Sequence, residues 1–171
     1  MELLIPGLLL VALMVYASTK IKRTVAEAFE HEHIETDDYV LEKPEGFLNV
    51  LNRDSSLELD IYSKESGVDD AASFKVARAE LRIYAQRTID YAANALAESV
   101  KIGSSVSEIV DGRKYRVLEA ESSEKGVEFR ELYKLTEKHG RVFELKLQIL
   151  ENAGDELSRK ADQMFTSFEV K

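Results

Sequence analysis

The chain contains no cysteine and no tryptophan, and it has only three histidines and two prolines in 171 residues. Without cysteine there is no disulfide, no thiolate zinc site, no iron-sulfur ligation and no thiol nucleophile. So few histidines leave a thin inventory of general bases. Positive charge is also scarce: 23 Lys and Arg stand against 32 Asp and Glu, a formal net charge of -9. Setting aside Glu2 and the cluster Lys20, Lys22 and Arg23, residues 24–171 carry 20 basic and 31 acidic side chains. Nonspecific nucleic-acid affinity comes from cations that release counterions, so no nucleic-acid partner is expected. G-x-G-x-x-G, P-loop and nucleophile-elbow spacings are missing as well, so nucleotide binding has no support and no cofactor is expected. The length and the mass of 19.3 kDa suit one ordinary domain with a short appendage.

What is present begins with an uncharged run. Residues 3–17 read LLIPGLLLVALMVYA, and Ser18 and Thr19 extend the run to seventeen positions before Lys20. As a helix, seventeen residues span about 25 Å, the short end of a membrane crossing. Leu3, Leu4, Ile5, Leu8, Leu9, Leu10, Val11, Leu13, Met14, Val15 and Tyr16 are the anchor residues, with Tyr16 at interfacial depth and Pro6 near the start, where a missing N–H costs little. A cleaved signal peptide needs basic residues before the apolar core, and only Met1 and Glu2 precede it. Lys20, Lys22 and Arg23 follow the run instead. The positive-inside bias then predicts a single-pass inner-membrane protein with its C-terminal domain in the cytoplasm. Expected partners are the lipid bilayer and membrane protein subunits.

The boundaries predicted are an anchor with its basic stop over 1–23, a helical stalk and acidic linker over 24–38, and a folded domain over 39–171. Ile21, Val25 and Phe29 recur at four-residue spacing in the stalk, and EHEHIETDD over 30–38 reads as solvated linker. In the domain, 39–43 and 47–51 read as short strands around the turn Pro44-Glu45-Gly46, meeting in a hairpin or a corner. Leu57, Leu59 and Ile61 alternate with polar residues as in a half-buried strand. Residues 70–101 lack Gly and Pro, are rich in alanine and advance apolar positions by three or four, which predicts one long helix or two collinear ones ended by Gly103. A competing reading makes 74–84 a strand and 88–101 the helix, but alternation there puts Arg78 and Glu80 beside Phe74 and Val76.

The remainder is the most regular part. Asp111-Gly112, Glu124-Lys125-Gly126 and Lys138-His139-Gly140 are turn signals, and between them Val127, Phe129, Tyr133, Leu135 and then Phe143, Leu145, Leu147, Ile149 alternate with polar residues. Such one-sided strands predict an antiparallel sheet with one solvated face. Leu157, Ala161, Met164 and Phe165 mark a closing helix over 155–165, and 167–170 adds a last strand. The order predicts an α+β domain rather than a βαβ repeat.

At Lys43-Pro44-Glu45-Gly46-Phe47, Asp111-Gly112-Arg113, Glu131-Leu132-Tyr133-Lys134-Leu135, Gly140-Arg141-Val142-Phe143-Glu144-Leu145, and Ala161-Asp162-Gln163-Met164 with Ser167-Phe168, the chain resembles the PsbP-like superfamily. That superfamily holds an extrinsic photosystem subunit and small bacterial lipoproteins of the DcrB type, and the resemblance covers 39–171. It implies an α/β/α domain with a long central helix and a C-terminal helix. It also implies a non-catalytic accessory or assembly subunit docked onto a membrane complex, such as one of photosynthetic or respiratory electron transfer. Family members work mostly on the extracytoplasmic or lumenal side, whereas the charges here point to the cytoplasm.

Candidate chemistry is sparse. His31 and His33 lie among Glu30, Glu32, Glu35, Asp37 and Asp38, a usable ligand set for zinc or nickel, but helical spacing would diverge the two rings and only an extended backbone would align them. The segment is read as solvated linker, and no metal site is assigned. Glu131 falls on the apolar side of its strand between Phe129 and Tyr133, which predicts an inward carboxylate paired with Arg113 or Arg116. Lys75, Arg78, Arg82 and Arg87 are assigned to the solvated face of the long helix. No catalytic residue is assigned, and the chain is not expected to be an enzyme. The alternative function is a ligand-binding module, for a lipid or pigment, in a concavity lined by Tyr84, Tyr91, Tyr115 and Tyr133. A hydrolase built on Glu131 ranks behind it.

Overall fold

The structure, a computed structural model, describes residues 13–20, 22 and 26–171. Residues 13–20 are helical (α1). Ten strands follow: β1 (Glu32–Glu35), β2 (Tyr39–Lys43), β3 (Phe47–Asn49), β4 (Leu59–Ser63), β5 (Ala77–Ala85), β6 (Lys101–Val110), β7 (Arg113–Glu124), β8 (Val127–Lys138), β9 (Arg141–Leu150) and β10 (Glu169–Val170). A 3-10 turn, Asp69–Ala71, precedes β5, helix α2 (Ile89–Ser99) follows it, and helix α3 (Asp155–Ser167) follows β9. The strands form a seven-stranded antiparallel sheet in the order β3-β4-β5-β9-β8-β7-β6 and a small sheet β1-β2-β10. The domain is therefore α+β, with α2 on one face of the large sheet and α3 on the other.

The run β6 to β9 is built on two-residue hairpins. Both central residues have positive φ in Asp111-Gly112 (49° and 76°), Lys125-Gly126 (52° and 80°) and His139-Gly140 (51° and 71°). That is the mirror-image turn whose twist matches antiparallel strands, and it requires a residue such as glycine at the second position. The short loop locks the register, from Lys138 opposite Arg141 to Phe129 opposite Leu150. An odd-numbered position of β8 thus sits beside an even-numbered one of β9. Phe129, Tyr133 and Leu135 consequently face one side of the sheet, and Phe143, Leu145, Leu147 and Ile149 face the other. The expected solvated face is not found over β5, β9 and β8, where both faces are covered.

On one side, Leu81, Phe143, Leu145 and Leu147 pack against Met164, Phe165 and Phe168 and against Tyr39 and Leu41 of the small sheet. The other side carries two smaller apolar patches. Ala92 and Ala93 of α2 press on Leu118, Tyr133, Leu135 and Val142. At the opposite end Ala71, Phe74 and Val76 cover Phe129 and Leu150, and Phe74 meets Phe129 edge to face at 5.2 Å. Gly67 makes this second lid possible, since a Cβ there would lie 2.7 Å from Ala71 and 2.8 Å from Leu150.

Several expectations change. The long central helix over 70–101 is replaced by β5 and an α2 of eleven residues, as the competing strand reading had it. Arg78 and Glu80 are tolerated in β5 because Arg78 pairs with Asp60 of β4 and Glu80 is held between Arg78 and Arg82 on its own strand. The helix begins only after Gln86 turns at φ 57°, with the Thr88 hydroxyl accepting from the Tyr91 N–H. Gly103 ends no helix; it lies inside β6 where the pairing with β7 slips between Ile102 and Ser104, a bulge. Pro44-Glu45-Gly46 is a corner, carrying the chain from the small sheet into the large one. Residues 32–35 of the supposed linker are strand β1, in register with β2.

Anchor residues 3–11 and Arg23 lie outside the described residues. Leu13, Met14, Val15 and Tyr16 are on α1 and are 60–68% exposed, and Lys20 and Lys22 are also helical. Among the described residues no helix is long and apolar enough to cross a membrane. The chain that leaves this helical segment is fastened to the domain by Lys43. Its side chain is 1% exposed, and its ammonium donates to the carbonyls of Ala28 (3.2 Å), Glu30 (2.6 Å) and Phe47 (3.0 Å). Burial lowers the affinity of this amine for its proton, and Glu32 nearby opposes that.

Candidate functional site

The two-residue turn that sends the β8 and β9 apolar sets to opposite faces also brings their polar residues together. Between the α2 patch and the Phe74 patch, one side of the sheet carries a belt of charge in three rows. Arg82 lies opposite Glu144; Glu80 lies between Asp60 and Lys146, which faces Tyr133; Arg78 lies opposite Gln148, which faces Glu131. Arg82 opposite Glu144 and Glu80 opposite Lys146 are favourable cross-strand pairings, whereas Glu80 opposite Asp60 is a like-charge pair that Arg78 bridges at 3.1 and 2.8 Å.

Glu131 is 3% exposed and is held by four neighbours. Lys146 Nζ is 2.8 Å from Oε1, and the Ser122 hydroxyl (2.8 Å) and Gln148 amide (3.1 Å) donate to the same oxygen. The Tyr133 hydroxyl donates to Oε2 at 2.5 Å. Burial pushes this carboxyl up, but Lys146, Tyr133 and Ser122 together bring it below the ordinary carboxylate range. Tyr133 is driven far above the usual phenol range, by burial first and then by its bond to Glu131.

Glu144, 5% exposed, is held far more loosely. The Tyr84 hydroxyl is 3.4 Å and Arg82 Nη1 is 3.9 Å from its Oε1. Here burial prevails and the carboxyl is raised, the Arg82 charge and the Tyr84 bond offsetting only part of the effect. Arg82 spends its strong contact elsewhere, on Glu80 at 2.7 Å, and Arg78 makes two bonds to Asp60, at 2.9 and 2.8 Å. The belt therefore holds two buried acids of opposite character, one saturated with donors and one that favours its proton.

The inward direction of Glu131 was legible in the alternation, but its partner was not. Arg116 pairs across from Leu135 and reaches Asp90 of α2 at 3.2 Å instead. Glu144 was missed because it sits on the polar side of β9; the signal lay in the His139-Gly140 turn, whose length sets which positions share a face. Arg78 and Arg82 lie on β5 in the belt rather than on a helix. Arg87 stacks on Tyr84 (4.5 Å) and Tyr91 (5.4 Å), and Lys75 lies over Tyr62 (5.0 Å). The four tyrosines do not line one concavity. Tyr115 is on the α3 side, where its hydroxyl accepts the Val170 N–H at 3.0 Å, whereas Tyr133 is on the α2 side. Surface clefts of about 410 and 700 Å³ lie beside the 3-10 turn and beside Phe29, and neither Glu131 nor Glu144 lines them.

His31 and His33 meet the condition that only extended backbone could satisfy. Both rings turn to Glu42 of β2, His31 Nε2 at 3.1 Å and His33 Nδ1 at 2.5 Å. Among the described residues no group of three or more His, Asp or Glu is arranged to hold a metal ion. His139 is exposed in its turn.

No family model and no curated protein matches the chain. Solved structures do. The solution structure of cyanobacterial PsbP (CyanoP) from Synechocystis sp. PCC 6803 aligns with a TM-score of 0.58 at 14% identity, covering 84% of this chain and 94% of that one. The fold is PsbP-like. The crystal structure of LpqN, involved in cell envelope biogenesis of Mycobacterium tuberculosis, aligns with a TM-score of 0.57 at 14% identity, covering 83% of this chain and 91% of that one. Over the PsbP-like fold the charged belt occupies the α2-side face of the sheet, its partners drawn both from neighbouring strands and from two positions along the same strand.

Proposed function

We propose that the chain is a non-catalytic accessory subunit, anchored in the inner membrane through residues 3–17, that presents a PsbP-like domain to a membrane protein complex. The observation that supports the non-catalytic part is the state of the two inward acids: Glu131 is consumed by Lys146, Tyr133, Ser122 and Gln148, and Glu144, though more loosely held, is buried and lines neither surface cleft. A general base needs a free lone pair within reach of a substrate, and Glu131 spends its lone pairs on the sheet. Similarity to CyanoP and LpqN supports an accessory or envelope-associated role by analogy of fold.

Support for the anchor comes from Leu13, Met14, Val15 and Tyr16, consecutive large apolar residues on a helix and all at least 60% exposed. A contiguous patch of this kind calls for an apolar environment. The Lys43 clamp fastens the chain at Ala28 and Glu30 to the domain. With Lys20, Lys22 and Arg23 after the apolar run, the domain lies on the cytoplasmic side.

The test is affinity purification of the full-length protein from its own membranes in mild detergent, with mass spectrometry of what accompanies it. A stoichiometric set of membrane subunits is expected. Recovery of the protein without other subunits would overturn the accessory role, and a reporter fusion at the C-terminus that reads outside the cytoplasm would overturn the topology.

A further inference from the structure

The two ends of the seven-stranded sheet are unequal. At one end β3 has only three residues. At the other, β6 has ten, and every position from Gly103 to Ile109 is exposed. Val106 and Ile109 are 60% and 76% exposed, and the stretch 102–107 reads IGSSVS, with no charge and no proline. An end strand presents a row of backbone N–H and C=O groups, and chains usually blunt such an edge by shortness, proline, covering loops or central lysines. Of these devices β3 uses shortness, while β6 carries only the bulge at Gly103, near its start.

We propose that two copies of the chain join edge to edge through β6, antiparallel, extending the sheet across a two-fold axis near Ser104 and Ser105. The charges select the occupant. β6 carries one cation, Lys101, at its start and one anion, Glu108, towards its end. Antiparallel pairing about the middle of the strand brings Lys101 of one copy to the end where the other copy carries Glu108. A two-fold interface uses the same patch twice and must be complementary to itself, which a strand with opposite charges at its two ends is. The chain as a whole repels its copy through a net charge of -9, but over 101–110 the charges cancel. Serines 104, 105 and 107 put small side chains at the centre, and the exposed Val106 and Ile109 fall within the paired stretch. This inference does not depend on the membrane reading.

Because the chain has no cysteine, single introduced cysteines report on proximity without a background. Full-length protein carrying Ser104→Cys or Ser105→Cys, in its own membranes, is oxidised with a copper catalyst and followed on a non-reducing gel. A control is Leu51→Cys, at a residue 90% exposed on the loop after β3. Residues held opposite one another react at a raised effective concentration, so at least one β6 variant is expected to form a disulfide dimer at least about tenfold faster than the control. Adding Ser107→Pro, which removes an outward-facing N–H and bends the strand, should abolish the dimer, as should the milder Val106→Lys with Ile109→Lys if proline disturbs folding. Dimer formation no faster than in the control, a cross-link to a different protein in its place, or a dimer that survives both sets of changes would overturn the proposal.

Discussion

The two faces of the large sheet solve the same packing problem with different chemistry. On the α3 side Leu81, Phe143, Leu145 and Leu147 are fully buried among aliphatic and aromatic neighbours. On the α2 side an apolar patch at each end leaves a band in the middle, and that band is filled by Arg78, Glu80, Arg82, Glu131, Glu144 and Lys146. The α3 face buries an ion, Lys134, whose ammonium donates to the Thr166 carbonyl at 3.1 Å; its apolar side chains carry no titrating group, so what they contribute to stability is insensitive to pH. A charged band is stable only while each ion has partners, and its stability follows their protonation. The lesson is sharpest between Glu131 and Glu144. They are buried almost equally, yet one is pulled below the ordinary carboxylate range and the other pushed above it, because only Glu131 receives strong donors.

The largest effect is expected from Phe143→Ala on the dry face. Loss of a buried phenylalanine costs about 3–5 kcal/mol, and urea unfolding followed by circular dichroism should show the same loss at neutral and acid pH. Glu131→Gln comes next. Breaking a buried pair costs about 3–5 kcal/mol, and since Lys146 keeps 23% of its exposure the lower end applies, about 3 kcal/mol at neutral pH. Glu131 has a folded-state affinity for protons below that of the unfolded chain. Its contribution is therefore complete above the ordinary value of 4.5 and is lost as pH falls through the folded value. The gap between wild type and Glu131→Gln should close on acidification; a gap that stays constant would place Glu131 with the dry face.

Glu144→Gln should act in the opposite direction. The raised carboxyl means that the folded state is penalised once Glu144 ionises, a penalty that grows as pH rises from 4.5 through the folded value. Removing the charge is expected to raise stability at neutral pH by about 1 kcal/mol. A loss as large as that of Glu131→Gln would show the two acids to be equivalent. Lys125→Asn, in the β7–β8 turn, should add about 0.5 kcal/mol by placing an Asn-Gly pair where both residues have positive φ.

The smallest effect lies outside both faces. His33 is raised above 6.5 by its hydrogen bond to Glu42 and then by that carboxylate's charge, so its clasp on β2 is complete below 6.5 and is lost as pH rises through the folded value. Proton NMR should find its midpoint above 6.5, and Glu42→Gln should lower it; an unchanged midpoint would detach His33 from Glu42.

Residue order alone carried the local rules. Asp-Gly, Lys-Gly and His-Gly turns, the alternation of β8 and β9, the closing helix and the inward direction of Glu131 all follow from backbone sterics and strand period, which act within a few residues. Segment 70–101 misled for the same reason: alanines and three-to-four spacing favour a helix locally, while Asp60, on another strand, supplies the partner that makes Arg78 acceptable in β5, and the extended backbone lets Arg78 and Arg82 flank Glu80. His31 and His33 likewise depended on β1 finding β2. The partner of Glu131, the loose hold on Glu144 and the coverage of both sheet faces arise only when β4, β5, β9 and β8 lie side by side. The β8–β9 register is set by the short His139-Gly140 turn, but the pairing of β5 with β9 joins residues about seventy positions apart, as Arg78 and Gln148 are, and no local pattern encodes that register.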